Sequence, residues 1–190
     1  KYYWILSNFA FMNAIFLIGY MGCGKTTLGM ALAQQMHVPF IDLDDYIEER
    51  CEATIKEIFA QVGEQGFRDI ERKCLDEVSA MAQGVIIACG GGTPCQRGNM
   101  ELMNSRGITI WLTTSAQRIA SRLSLPEQKA KRPLIAAMDD NDLLDYVTAH
   151  LAQREQHYSK AMLSFDSTLL ESIEEIDNTA HALARLLMQE

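Results

Sequence analysis

Eight residues near the start of the chain, Gly19-Tyr-Met-Gly22-Cys-Gly24-Lys25-Thr26, limit its architecture more than any other stretch. They satisfy the GxxxxGK[ST] spacing of a phosphate-binding loop, and their position makes the match informative. The loop follows the apolar run Ala14 to Ile18, short enough for a buried strand. It precedes Lys25 to Met36, where helical periodicity begins. In that setting the glycines let backbone N–H groups turn inward around a phosphate, and the new helix adds its positive end. Lys25 can then reach the β and γ oxygens of a nucleotide, and the Thr26 hydroxyl can ligate magnesium. A strand that feeds a helix through such a loop assigns the chain to the α/β class.

The rest of the sequence continues that pattern, short β-rich runs alternating with amphipathic stretches as in βαβ units around a parallel sheet. Strands are expected at Ile15 to Ile18, Val38 to Ile41, Val85 to Ala88, Ile108 to Leu112 and Ser167 to Leu170. Helices are expected at Lys25 to Met36, Asp45 to Cys51, Thr54 to Gln61, Phe67 to Ala82, Asn99 to Ser105, Ala116 to Leu123, Asn141 to Met162 and Ile173 to Met188. At 190 residues, 48% of them hydrophobic, the chain suits one domain. Residues 12–190 are assigned to it. Residues 1–11 have no counterpart in the design and are expected to be a misassigned start or a cloning remnant. Ser7, Asn8 and Asn13 interrupt the apolar opening, which argues against a signal or membrane segment.

A net charge of −8 argues against nucleic acid or an anionic membrane as partner, since both need an outward basic field. The five cysteines include no CxxC pair, which points to a reducing cytoplasm rather than a disulfide framework or zinc site. Between Ser124 and Ile135 the periodicity lapses into a polar segment with two prolines and the cations Lys129, Lys131 and Arg132. That composition suits a mobile lid over about residues 124–137.

Four further stretches carry candidate chemistry. Phe40-Ile-Asp42-Leu-Asp44-Asp45 ends the second strand, and alternation along a strand would point Asp42 and Asp44 the same way, toward the sheet's carboxyl edge where ligands bind. One carboxylate can serve the magnesium shell and the other an attacking hydroxyl. Alternatively, Asp44 or Asp45 caps the following helix. In Gly63-Glu-Gln-Gly66-Phe67-Arg68-Asp-Ile-Glu71, Glu71 stands i, i+3 from Arg68 and can fix its fork for bidentate capture of a carboxylate. An exposed surface pair is the alternative. Gly90, Gly91 and Gly92 follow the run Val85 to Ala88, where a substrate could approach the backbone or a flexible turn could form. Arg132 closes the lid segment as an arginine able to neutralise a transferring phosphoryl group, or as part of a solvated basic loop. Arg154, four residues before Tyr158, would be a surface residue if it stood alone.

In order, these segments resemble the shikimate kinase family: GxxGxGK[ST], DxD, GExxFRxxE, GGG, RPL and RxxxY, between about Ala14 and Ala161. The resemblance implies a three-layer P-loop kinase fold, with a five-stranded parallel sheet in order 2-3-1-4-5, a helical substrate-binding segment over about residues 43–72, and the lid. It implies transfer of the γ-phosphate of ATP to the 3-hydroxyl of shikimate, with Mg2+, on the route to chorismate and the aromatic amino acids. By residue, it implies that Gly22, Cys23, Gly24, Lys25, Thr26 and Thr27 hold the phosphates, that Arg122 packs on adenine, and that Thr26 takes magnesium with Asp42 acting through water. Asp44, Arg68, Arg154 and the triplet Gly90 to Gly92 correspond to shikimate contacts, Glu71 supports Arg68, and Lys25, Asp44 and Arg132 are catalytic. Cys23 stands where a small residue is usual, which predicts sensitivity to thiol reagents. The expected partners are ATP and shikimate alone, the expected state a monomer. A gluconate kinase-like enzyme is the nearest alternative, and the paired Arg68 and Arg154 argue against it. A nucleotide-binding module without catalysis is the other, opposed by Lys25, Thr26, Asp42, Asp44 and Arg132.

Overall fold

The computed structural model describes residues 14–81, 84–130, 132 and 134–188. The proposed extension, residues 1–11, lies outside them, as do Lys131 and Pro133 of the lid segment. Strands β1 (Ala14–Ile18), β2 (Phe40–Asp42), β3 (Val85–Ala88), β4 (Gly107–Thr113) and β5 (Leu163–Asp166) form one sheet in the order β2-β3-β1-β4-β5. All four pairings are parallel, and β1 lies at the centre, with Ala14 opposite both Val85 and Gly107.

A fully buried central strand needs apolar side chains on both faces, and β1 (AIFLI) supplies them. Phe16 and Ile18 enter one core, together with Leu43, Ile58, Phe67, Leu75, Met103, Leu123, Val147 and Tyr158. That core lies under α2 (Leu43–Cys51), α3 (Ile55–Ala80), α4 (Asn99–Arg106), α5 (Ala116–Leu123) and α7 (Asp140–Tyr158). Ile15 and Leu17 enter the other, against α1 (Lys25–Met36) and α8 (Ile173–Met188). The three layers thus follow from the two-residue period of one strand.

Several element boundaries differ from expectation. β2 starts at Phe40 rather than Val38, because Val38 N–H still donates to Ala33 O (3.1 Å) in the closing turn of α1. The two helices expected between Thr54 and Ala82 join as α3, broken at Gly63, whose φ of 70° departs from helical geometry. The capping box of Thr54 and Glu57 starts α3. The last strand is Leu163–Asp166, not Ser167 to Leu170, and α7 stops at Tyr158 rather than Met162. Within β5, Leu163 and Phe165 turn inward while Ser164 and Asp166 are exposed; the Ser167 and Thr168 that follow are spent on turn and loop contacts. The lid segment contains a five-residue helix, α6 (Pro126–Ala130), where the sequence suggested only irregular chain.

Candidate active site

The phosphate-loop glycines meet both reasons for glycine. Gly22 and Gly24 have φ values of 79° and 100°, and a Cβ on Gly24 would collide with Leu170. Gly24 precedes α1 without any side-chain cap, so the first N–H groups of that helix are left for a ligand. Lys25 Nζ donates to Gly19 O (2.9 Å) and Tyr20 O (3.0 Å), which centres the ammonium in the loop. Cys23 is wholly buried, with Sγ 3.9 Å from Lys25 Nζ. Buried in this way, the sulfur can meet a thiol reagent only when the loop opens.

Arg122 lies beside the loop and donates to Gly22 O (3.2 Å). Its remaining nitrogens donate to Ser167 O (3.2 Å), Thr168 O (2.9 Å) and Glu171 Oε1 (3.0 Å). The edge of the fork is thus committed to protein acceptors, and only its face could meet an adenine. Ser167 Oγ adds a second tie from the same segment, to Cys23 O (2.8 Å).

Thr26 Oγ1 donates to Asp42 Oδ2 at 2.7 Å, while Asp42 Oδ1 accepts from Asp44 N at 3.1 Å and caps α2. The cap is therefore Asp42, not Asp44 or Asp45. Strand alternation does not place Asp44 either: it sits in the first turn of α2, and helical geometry turns it toward the glycine triplet. Thr26 and Asp42 form a hard, all-oxygen donor pair, and no cluster of three His, Cys, Asp or Glu occurs among the described residues. Such a sparse donor set fits Mg2+, which keeps most of its shell as water and phosphate.

The triplet after β3 is the centre of the site. A Cβ on Gly90 would lie 2.8 Å from Asp44 Oδ1, one on Gly91 3.4 Å from Arg154 Nη1, and one on Gly92 3.0 Å from Arg68 Nη2. Three side chains from α2, α3 and α7 therefore reach one short stretch of backbone, each against its own glycine. None of these glycines has a positive φ, so the requirement is space rather than conformation.

Arg68 Nη1 donates to Glu71 Oε2 (2.9 Å), and Thr93 Oγ1 donates to Glu71 Oε1 (2.6 Å). Glu71 is 1% exposed, so this is a buried, doubly satisfied carboxylate and not the surface pair that the spacing also allowed. Arg68 Nε is buried with no acceptor among the described residues, leaving a donor for a bound anion. Tyr158, fully buried, donates to Gly91 O (2.7 Å) and so ties α7 to the triplet. Thr93 and Asn99, whose Nδ2 donates to Thr93 O (2.9 Å), brace the turn beyond it. Neither emerges from sequence reasoning; Thr93, directly after three glycines, offered the only signal.

Asp44 is exposed at its surface, yet protein packed close around the carboxyl strips away part of its water. Burial, then the neighbouring Asp42, raise its pKa from 3.8 to about 6 against the pull of Lys25, with Glu71 and Asp45 adding to the rise. A carboxyl poised there is ionised at neutral pH and can still take a proton. Arg132 is not part of this gathering. Its Nη1 donates to Gln128 O (2.9 Å) and Oε1 (2.7 Å) on α6, and burial lowers its pKa. A cavity of about 200 Å3, lined by Tyr20, Cys23, Trp111, Ile119 and Leu151 among others, includes neither Asp44 nor Arg68 nor the triplet.

Comparison with known proteins identifies the family. The family profile described as shikimate kinase matches residues 21–184. The chain is 43% identical to the shikimate kinase of Bacteroides thetaiotaomicron over 176 residues, covering 93% of this chain and 99% of that one. The corresponding figures for Phocaeicola vulgatus are 44%, 93% and 99%. Among solved structures, the Bacteroides thetaiotaomicron shikimate kinase superposes with a TM-score of 0.84 at 41% identity, covering 93% of this chain and 98% of that one. The Acinetobacter baumannii shikimate kinase in complex with shikimate gives 0.78 at 30%, covering 96% of each. These matches span nearly the whole domain, loop and triplet included, and the chain belongs to the shikimate kinase family.

Proposed function

We propose that this chain transfers the γ-phosphoryl group of ATP to the 3-hydroxyl of shikimate, giving ADP and shikimate 3-phosphate. The observation that carries the reading is the convergence of Asp44, Arg68 and Arg154 on Gly90 to Gly92, close to the phosphate loop. Arg68 and Arg154 grip the carboxylate, with Arg68 aimed by Glu71. Asp44 accepts the 3-hydroxyl proton as the new P–O bond forms and the bond to the β,γ-bridging oxygen breaks. Lys25 meets the charge on the phosphate oxygens from within the loop, and Arg132 does so from the lid once α6 swings inward. Thr26, and Asp42 through water, would hold Mg2+, which would supply neutralisation of the charge on the transferring phosphoryl group.

Gluconate also carries a carboxylate, so the two arginines alone do not separate it from shikimate; family membership does. No helix among the described residues is long and apolar enough to cross a membrane. A cytoplasmic monomer remains our inference from charge, cysteine usage and size. The test is a coupled ADP-release assay with ATP, Mg2+ and, in turn, shikimate, quinate and gluconate. Turnover with shikimate alone is expected; turnover only with gluconate, or with none of the three, would overturn the reading.

A further inference from the structure

The two arginines are held in different ways. Arg68 is aimed by a buried carboxylate, Glu71. Arg154, half-buried on α7, has no salt-bridge partner among the described residues; its guanidinium carbon instead lies 5.3 Å from the ring centroid of Tyr20. That distance falls within the range where a cation is drawn to an aromatic face.

Tyr20 itself is unusual. It occupies a position that the GxxxxGK[ST] pattern leaves unspecified, is 1% exposed, and its hydroxyl is buried with no hydrogen-bond partner among the described residues. A tyrosine kept for its hydroxyl would have that group paired. Here the ring is the part in use. Burial, with Tyr146 adding to it, raises the phenol pKa to about 12 against the opposing effect of Arg154, so the ring stays neutral and attracts through its face. Its position is fixed by the loop, because Tyr20 O accepts from Lys25 Nζ (3.0 Å) and from Cys23 N (3.2 Å). On the other side, burial opposes the charge of Arg154, but Tyr158, which also hydrogen-bonds the guanidinium, together with Cys95 and Tyr20 more than offsets it, leaving the guanidinium pKa raised. The cation is thus secure; Tyr158 holds the guanidinium at one point, and the face of Tyr20 supplies the second contact that a direction requires.

We propose that Tyr20 is the positioning residue for Arg154, an aromatic platform that aims the guanidinium at the substrate carboxylate as Glu71 aims Arg68. The inference rests on the reading of the two arginines as the carboxylate grip. It predicts that the ring matters, the hydroxyl does not, and the effect falls on the acid substrate rather than on ATP.

The test is steady-state kinetics of Tyr20→Leu and Tyr20→Phe, with Arg154→Ala as a second background. Tyr20→Leu should raise KM for shikimate about three- to tenfold, with KM for ATP within about twofold of wild type. Tyr20→Phe should restore the shikimate KM. In the Arg154→Ala background, Tyr20→Leu should add no further loss, since the group it aims is gone. If Tyr20→Leu does not fold, Tyr20→Met, closer in volume and also lacking a ring, is expected to behave as stated for leucine. An unchanged shikimate KM in an active ringless variant would overturn the proposal, as would an equal rise in both KM values, which would mark collapse of the loop. A wild-type enzyme inactive on shikimate would instead overturn the underlying reading of the reaction.

Discussion

Asp44 concentrates the site's chemistry in one carboxyl group. Its pKa near 6 predicts that kcat/KM for shikimate falls below about pH 6 with the slope of a single protonation, measurable in a pH–rate profile. Asp44→Asn should lower kcat by about 10²- to 10⁴-fold with ATP affinity near wild type, because the hydroxyl loses its acceptor. The same shift has a cost in stability. Between about pH 4 and pH 6 the folded chain holds a proton that the unfolded chain has released, so stability falls as pH rises through that window. Asp44→Asn should therefore melt at a higher temperature than wild type above pH 6, and the gain should vanish below about pH 4. An equal melting temperature at pH 7.5 would show that the carboxylate carries no such burden. Arg68→Ala should weaken shikimate binding by about 2 to 5 kcal/mol by calorimetry, part of that loss arising because the charge of Glu71, no longer neutralised, repels the substrate carboxylate.

Among the elements, the turn after β3 governs the geometry, because three separate helices present one functional group each to one of its glycines. Gly92→Ala should push Arg68 off its line and raise KM for shikimate, whereas Gly90→Ala should displace Asp44 and lower kcat; the two variants separate binding from chemistry at adjacent positions. This division was not visible in the triplet's sequence, where a flexible turn explained the glycines equally well. The phosphate loop and the Arg68–Glu71 pair were legible because each follows from local spacing, whereas the sheet order came only with the resemblance to the shikimate kinase family. Asp44 was identified for the wrong geometric reason: strand alternation was assumed across a point where Asp42 already caps a helix. β5 was displaced by one short segment because Leu169 and Leu170 extend the apolar signal beyond the two-residue alternation of Leu163 and Phe165. Tyr20 was passed over because its contact is with Arg154, far away in sequence, and no local pattern encodes it.

The whole molecule joins a three-layer body to the segment around α6, which holds Arg132 turned toward Gln128. Limited trypsin digestion after Lys129 and Lys131 should be rapid in the free enzyme and slowed when ADP and shikimate are both bound; equal cleavage in the two states would argue against closure. The phosphate loop also hangs from the far end of the chain, through Arg122 on Gly22 O and Ser167 on Cys23 O. During synthesis, a loop complete by residue 27 would stay slack until the segment around residues 167 to 171 had left the ribosome. A chain ending at Asp166 lacks these ties as well as α8, whose Leu183 and Leu187 pack the core against α1, and should fail to retain a fluorescent ADP analogue that the full-length protein captures, so the capacity to hold nucleotide waits on residues made long after the loop itself.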